Sequence, residues 1–168
     1  MYDKTRKFYE FIGIKCYKSI DLNGFDDALQ FDLNEDILNH YDYKETYNLI
    51  INNGTSEHVF DQKNVFLNSH NLCREGGYMI HMLPFFSWVN HGFYNFNPIF
   101  FADLAASNNY ELVKISLANR FGAELKLNKE NYPILFEQIK PHMNKSKFSK
   151  MIEIAREKIG QNILLVVI

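Results

Sequence analysis

The sequence predicts an α/β domain in which helices flank a mostly parallel sheet. Six short apolar segments have the composition of buried strands, and helical patterns lie between them. Loops rich in Asp, Asn, Gly or Pro end the first four segments, and these residues interrupt regular structure. Because strands that alternate with helices form layered α/β sheets, this order of elements indicates that architecture.

The predicted strands are runs of four to six mostly apolar residues. They are residues 17–20, 28–31, 47–51, 78–83, 112–117 and 163–168. The predicted helices carry apolar residues at spacings of three and four. They cover residues 5–12, 65–73, a segment from Pro98 to about Asn108, 133–140 and 148–159. Asn97 before Pro98 is typical of a helix start, and Gly160 stands where a helix C-cap belongs.

Composition and charge limit the class of protein. The 168 residues are 46% hydrophobic and contain only 8 Gly and 4 Pro, which predicts one folded domain over residues 1–168. Residues 119–147 are polar, and we interpret them as an insertion between the last two strands. The 18 basic and 20 acidic residues leave no basic excess, so no nucleic-acid partner is indicated.

Cysteine content and hydropathy predict the compartment. Cys16 and Cys73 are too few for a disulfide framework, which fits a reducing environment. No apolar run reaches the roughly 18 residues that a membrane span needs, and no apolar signal-peptide core follows the basic start. We therefore expect a cytoplasmic protein without a membrane partner.

Polar residues directly follow the first three predicted strands. Asp21 and Asp32 follow the first two, and Asn52-Asn53-Gly54 follow the third. In open parallel sheets, ligands bind beyond the carboxyl ends of the strands. A carboxylate in that place can accept hydrogen bonds from both hydroxyls of a ribose. The alternative is that Asp and Asn here only terminate strands and cap turns.

An aromatic segment follows the predicted strand 78–83. Residues 84–96 contain six aromatic side chains and His91, which Gly92 follows. These aromatics could exclude water and offer π-faces to a cation, or they could cover the edge of the core. We interpret His91 as the candidate general base, and His81, inside the strand, as a hydrogen-bonded core residue.

Two segments resemble class I S-adenosylmethionine-dependent methyltransferases. Residues 47–59 read YNLIINNGTSEHV, and residues 72–80 read LCREGGYMI after an intervening helix. The first is similar to the family's fourth strand with its Glu-His loop, although Asn48 replaces the usual Asp. The second is similar to the family's Leu-x-x-Gly-Gly segment. The resemblance covers roughly residues 8–117.

The resemblance implies a Rossmann-like methyltransferase sheet, S-adenosyl-L-methionine as cofactor, and methyl transfer to an acceptor that the sequence does not identify. Asp21 would then contact the ribose, Asp32 and Leu33 the adenine, and residues 52–54 the near edge of the cofactor. The candidate cofactor-binding residues are therefore Asp21, Asp32, Leu33, Asn52, Asn53 and Gly54, and the candidate catalytic residue is His91.

The sequence departs from the family at its glycine-rich loop. That loop follows the family's first strand, but the chain contains only Gly13 before residue 17. We therefore expect a sheet that lacks its first strand. Either the chain is an N-terminally truncated fragment, or another segment or a partner chain supplies the strand.

Two other classes of function stay open at this point. A non-catalytic, methyltransferase-like binding module or partner protein would explain the absent glycine loop. A metal-dependent enzyme would explain five histidines within 52 residues, which are His40, His58, His70, His81 and His91. Their spacing follows no ligand motif, so the sequence predicts no metal site. Glu57 and His58 are expected to be structural or to face the cofactor.

Overall fold

A computed structural model describes residues 2–86, 88–119, 123–133 and 163–167 of the chain. These residues form a mixed α/β fold. Its helices are α1 (Tyr2–Phe11), α2 (Ile37–His40), α3 (Gln62–Leu72) and α4 (Pro98–Ser107). Its strands are β1 (Tyr47–Asn53), β2 (Cys73–Pro84), β3 (Lys114–Ala118), β4 (Glu124–Lys126) and β5 (Ile163–Val167).

The five strands form one sheet in the order β1-β2-β5-β3-β4. β1 and β2 are parallel, and α3 connects them and packs on both. β5 is antiparallel to both of its neighbours, and β4 is antiparallel to β3. The prediction of a mostly parallel sheet is therefore wrong for the described strands, because β1–β2 is their one parallel pairing. The apolar composition of a strand does not show whether it pairs parallel or antiparallel with its neighbours.

The first two predicted strands, 17–20 and 28–31, are not strands of this sheet. They contact each other through one parallel bridge between Ile20 and Leu29. The connection between them contains Gly24, Asp26 and Asp27 in left-handed conformations, with φ between 58° and 66°. Such a turn-rich connection interrupts extended backbone, so the apolar residues on either side do not form a ladder.

The remaining predicted strands coincide with strands of the sheet. Strands 47–51, 78–83, 112–117 and 163–168 correspond to β1, the second part of β2, β3 and β5. β4 was not predicted and lies within the polar insertion 119–147. The predicted helix 148–159, and helix 133–140 after its first residue, lie outside the described residues.

β2 begins at Cys73, five residues earlier than predicted, and an irregularity interrupts its pairing with β1. Tyr47 pairs with Cys73, but Leu49 pairs with Tyr78, so the chain around Gly76 forms an unpaired excursion. Gly76 has φ 72°, a left-handed conformation that glycine adopts without steric cost. After this excursion the register is regular to the carboxyl ends of both strands.

The hydrophobic core lies between α4 and the sheet. Phe101 and Ala102 of α4 are fully buried against Leu83 and Ile115. Asn97 caps α4, since its side chain accepts a hydrogen bond from the Ile99 N–H. The Phe96 N–H donates to Pro84 O at 2.8 Å, which joins the end of the aromatic segment 84–96 to the end of β2.

No helix within the described ranges combines the length and the apolar character that crossing a membrane requires.

Candidate functional site

The candidate site lies at the carboxyl ends of the parallel strands β1 and β2. Gly54 follows β1, turns the chain with φ 66°, and donates from its N–H to Met82 O at 3.0 Å. A single 3₁₀ turn, Ser56–His58, comes next. The segment that carries His91 follows β2. Adjacent parallel strands thus bring together two loops that are more than 30 residues apart in sequence.

Glu57, His58 and His91 form a compact cluster at this place. Glu57 Oε1 lies 3.4 Å from His91 Nε2 and 3.9 Å from His58 Nε2. The two imidazole rings pack edge to face with centroids 4.9 Å apart. The Glu57 side chain is 1% exposed, whereas the His58 and His91 side chains are 47% and 37% exposed. A buried carboxylate therefore faces two imidazoles that solvent reaches.

The backbone fixes the loop of His91 onto Glu57. Glu57 O accepts hydrogen bonds from the N–H of Phe93 at 2.7 Å and of Tyr94 at 3.3 Å. Gly92 lies so close that a Cβ atom there would be 2.8 Å from Glu57 O and 2.9 Å from Glu57 Cγ. The Trp88 ring packs on the His91 ring with centroids 4.4 Å apart. Only glycine at position 92 permits the close contact with Glu57.

One carboxylate oxygen of Glu57, Oε2, is buried and has no hydrogen-bond partner among the described residues. A buried carboxylate without a cation or sufficient donors costs several kcal/mol. Among the described residues, the imidazoles of His58 and His91 lie within 4 Å of this carboxylate and could share a bound cation with it.

Asn52 lies beside this cluster, where its side chain forms hydrogen bonds within the protein. Its Nδ2 donates to Ser56 Oγ at 3.1 Å, its Oδ1 accepts from the Ser56 N–H at 3.3 Å, and Nδ2 lies 3.2 Å from His81 Nδ1. His81 is 1% exposed, which confirms it as a core residue. Burial lowers the pKa of His81 to about 4, so the ring is neutral at pH 7.

A cleft of about 960 Å³ lies on the other side of β1, between this strand and the segment that follows α1. Of the predicted cofactor-binding residues, Leu33, Asn52 and Asn53 line it. Ser19, Ile20 and Leu29 line the opposite wall. The volume is at the upper end of the range of small-molecule sites.

The other predicted cofactor-binding residues, Asp21, Asp32 and Gly54, do not line the cleft. Asp21 is exposed, and its Oδ1 accepts from the Asn23 N–H at 2.8 Å. Asp32 is half-buried, and its Oδ1 accepts from the Asn34 N–H at 2.9 Å. Each carboxylate thus stabilises its own turn with one oxygen. Gly54 lies on the side of Glu57, since its Cβ position is 3.5 Å from Glu57 Oε1.

The structure thus brings His91 together with Glu57 and His58, whose participation in one cluster the sequence did not reveal. A signal was available in retrospect. Glu57 and His58 follow the carboxyl end of β1, and His91 follows that of β2. Neighbouring parallel strands direct such loops to one edge of a sheet.

Comparison with known proteins adds no relative: no protein-family model matches the chain, and neither a curated protein nor a solved structure matches it. Fold and site define a mixed α/β protein with a carboxylate–imidazole cluster at the carboxyl ends of one parallel strand pair.

Proposed function

We propose that the chain is a methyltransferase-type protein that uses S-adenosyl-L-methionine, with the methyl acceptor bound beside His91. The observation that carries this proposal is the position of His91. It lies 3.4 Å from a buried carboxylate, at the carboxyl ends of a parallel strand pair whose first strand also borders a large cleft. The sequence resemblance over residues 47–80 supports the same assignment.

The topology supports the proposal in its coarse features. β1, α3 and β2 form a parallel βαβ unit, which is the building block of Rossmann-like sheets. β5 returns antiparallel between β2 and β3, which themselves run in the same direction. The parallel βαβ unit is compatible with part of a Rossmann-like sheet, although the predicted strands 17–20 and 28–31 contribute no strand to it.

The cleft is compatible with the proposed cofactor. Its volume of about 960 Å³ accommodates a nucleoside with an amino-acid tail, and Leu33 offers an apolar side chain to a base. Asn53 lines the same space with a side-chain amide, and Asp21 retains one carboxylate oxygen outside its turn. When bound, the cofactor supplies an electrophilic methyl group on a sulfonium.

His91 and Glu57 would act on the acceptor. A hydroxyl or ammonium acceptor must lose a proton, and an imidazole with a solvent-exposed edge can accept it. The neighbouring Glu57 carboxylate, whose Oε1 lies 3.4 Å from His91 Nε2, would stabilise the imidazolium that results, because opposite charges attract. Trp88, packed on the ring of His91, limits the orientations of the imidazole.

Calorimetric titration with S-adenosylhomocysteine tests the proposal on the purified chain. We expect saturable micromolar binding and a roughly tenfold loss of affinity in Asp21→Ala, which removes the carboxylate assigned to the ribose. Asp103→Ala is the matched control, since Asp103 is an exposed residue of α4. Circular dichroism establishes that each variant is folded.

The outcomes separate the functions that the sequence left open. A folded chain that does not bind S-adenosylhomocysteine contradicts the methyltransferase proposal and favours a non-catalytic binding module. Equal affinity of wild type and Asp21→Ala removes Asp21 from the site. Once an acceptor is found, His91→Ala should reduce the transfer rate by roughly 10²-fold or more while leaving cofactor affinity unchanged.

A further inference from the structure

We propose that Glu57, His58 and His91 bind one divalent transition-metal ion, with zinc as the best match. This inference goes beyond methyl transfer and does not depend on it. It rests on three observations: the distances among the ligand atoms, the chemistry of the donors, and a buried carboxylate oxygen without a partner.

The distances are close to those of a metal centre. Zinc lies about 2.0–2.2 Å from carboxylate oxygen and imidazole nitrogen, which places tetrahedral ligand atoms about 3.3 Å apart. In the cluster, Glu57 Oε1 is 3.4 Å from His91 Nε2 and 3.9 Å from His58 Nε2. One ligand atom from each of the three residues falls within 4.8 Å of the others. Small side-chain rotations of the two exposed imidazoles close the remaining difference.

The donor set selects a transition metal over calcium or magnesium. Two imidazoles and one carboxylate suit zinc and its neighbours, whereas calcium and magnesium prefer oxygen ligands only. Three protein ligands leave one position open, as in catalytic zinc sites. The half-exposed histidines leave a path from solvent to that position.

Glu57 is the anchor of the site. Its carboxylate is 1% exposed, and its Oε2 has no hydrogen-bond partner among the described residues. A divalent cation would neutralise this charge and could engage the second oxygen. The backbone bonds from Phe93 and Tyr94 to Glu57 O hold the ligand from the neighbouring loop in place before any metal arrives. A preformed site of this kind reduces the ordering cost of binding.

Metal occupancy would exclude the proposed proton-accepting role of His91. A nitrogen lone pair that ligates zinc cannot accept a proton. We therefore expect zinc to inhibit methyl transfer, if transfer is demonstrated, and a chelator to restore it. Metal binding itself is measured without any methyl acceptor, so the two proposals fail independently.

Titration of the chelator-treated chain with Zn²⁺ tests the inference, and Co²⁺ absorbance reports the coordination. We expect one equivalent to bind at micromolar concentration or tighter. His58→Ala and His91→Ala should each weaken binding at least tenfold. His40→Ala is the matched control, because His40 is also exposed, lies beside Glu35 at 3.6 Å, and is outside the cluster.

The two histidine variants allow the test to be read even if a Glu57 variant does not fold. Glu57→Gln alters a buried group and could unfold the chain, but the two histidine variants remove side chains that are 47% and 37% exposed. No saturable binding by the folded wild type overturns the inference. Zinc affinity that is equal in wild type, His58→Ala and His91→Ala also overturns it. Binding of S-adenosylhomocysteine is measured separately on the metal-free wild type, so the methyltransferase proposal is decided by its own result in either case.

Discussion

At the scale of single residues, the site depends on a close approach between two loops. The Glu57 carbonyl accepts the N–H groups of Phe93 and Tyr94, and Gly92 lies against the same peptide. Backbone contacts therefore position the loop that carries His91, and the His91 side chain is not needed for this. Any residue larger than glycine at position 92 should separate the two loops.

Gly92→Ala tests this contact. The added Cβ would lie 2.8 Å from Glu57 O, so the loop must move and the hydrogen bond from Phe93 must lengthen. We expect a loss of about 1–3 kcal/mol in the free energy of unfolding and at least tenfold weaker zinc binding. Asn95→Ala, an exposed position of the same loop, should change neither. Wild-type stability in Gly92→Ala would contradict the contact.

His81 makes stability depend on pH. Its pKa is about 4 in the folded chain because of burial, compared with about 6.5 in an unfolded chain. The unfolded state therefore binds more protons between these values, so stability is full above pH 6.5 and falls as the pH decreases towards 4. The shift corresponds to about 3 kcal/mol.

Urea unfolding between pH 4 and pH 7 measures this dependence. The wild type should lose stability over this interval more steeply than His81→Gln, whose side chain does not titrate. Parallel curves for the two proteins would show that His81 does not carry the effect.

At the scale of elements, one buried amide joins the segment before α2 to α3. Asn68 of α3 is 1% exposed; its Oδ1 accepts from the Ile37 N–H at 2.9 Å, and its Nδ2 donates to Glu35 O at 2.8 Å. This pair of bonds holds the loop that contains Leu33 against the wall of the cleft.

Asn68→Ala should therefore reduce the free energy of unfolding by about 2–4 kcal/mol, because two backbone groups lose their partner. Ser69→Ala is the control: Ser69 is also buried, but its hydroxyl donates to Val65 O within the same helix. Its effect should stay within about 1 kcal/mol. Equal denaturation midpoints for the two variants would contradict a special role for Asn68.

The elements that the sequence predicted correctly are those with strong local signals. β1 ends at Asn-Asn-Gly, and α4 begins at Asn97-Pro98, so turn and cap residues mark both. The predicted strands 17–20 and 28–31 fail because their apolar residues meet only through the bridge of Ile20 and Leu29. A strand requires a neighbouring strand with which its backbone forms hydrogen bonds. A local sequence pattern does not show whether such a neighbour exists.

At the scale of the whole molecule, strand direction and long-range contacts were beyond sequence reasoning. The antiparallel pairing of β5 with β2 and β3 joins segments that are more than 40 residues apart in sequence. His91 was identified from its position after a strand, but its contact with Glu57 joins residues 34 positions apart. No spacing motif encodes such a contact, since it arises from the pairing of β1 with β2.

The cleft beside β1 is the proposed binding site of S-adenosyl-L-methionine. An amide-resolved NMR titration of the folded chain with S-adenosylhomocysteine tests it most directly. We predict saturable shifts at the cleft residues Leu33, Asn52 and Asn53, which extend to Gly54 at the edge of the cluster. Unchanged spectra at millimolar ligand, or saturable shifts confined to residues away from β1, would contradict the claim.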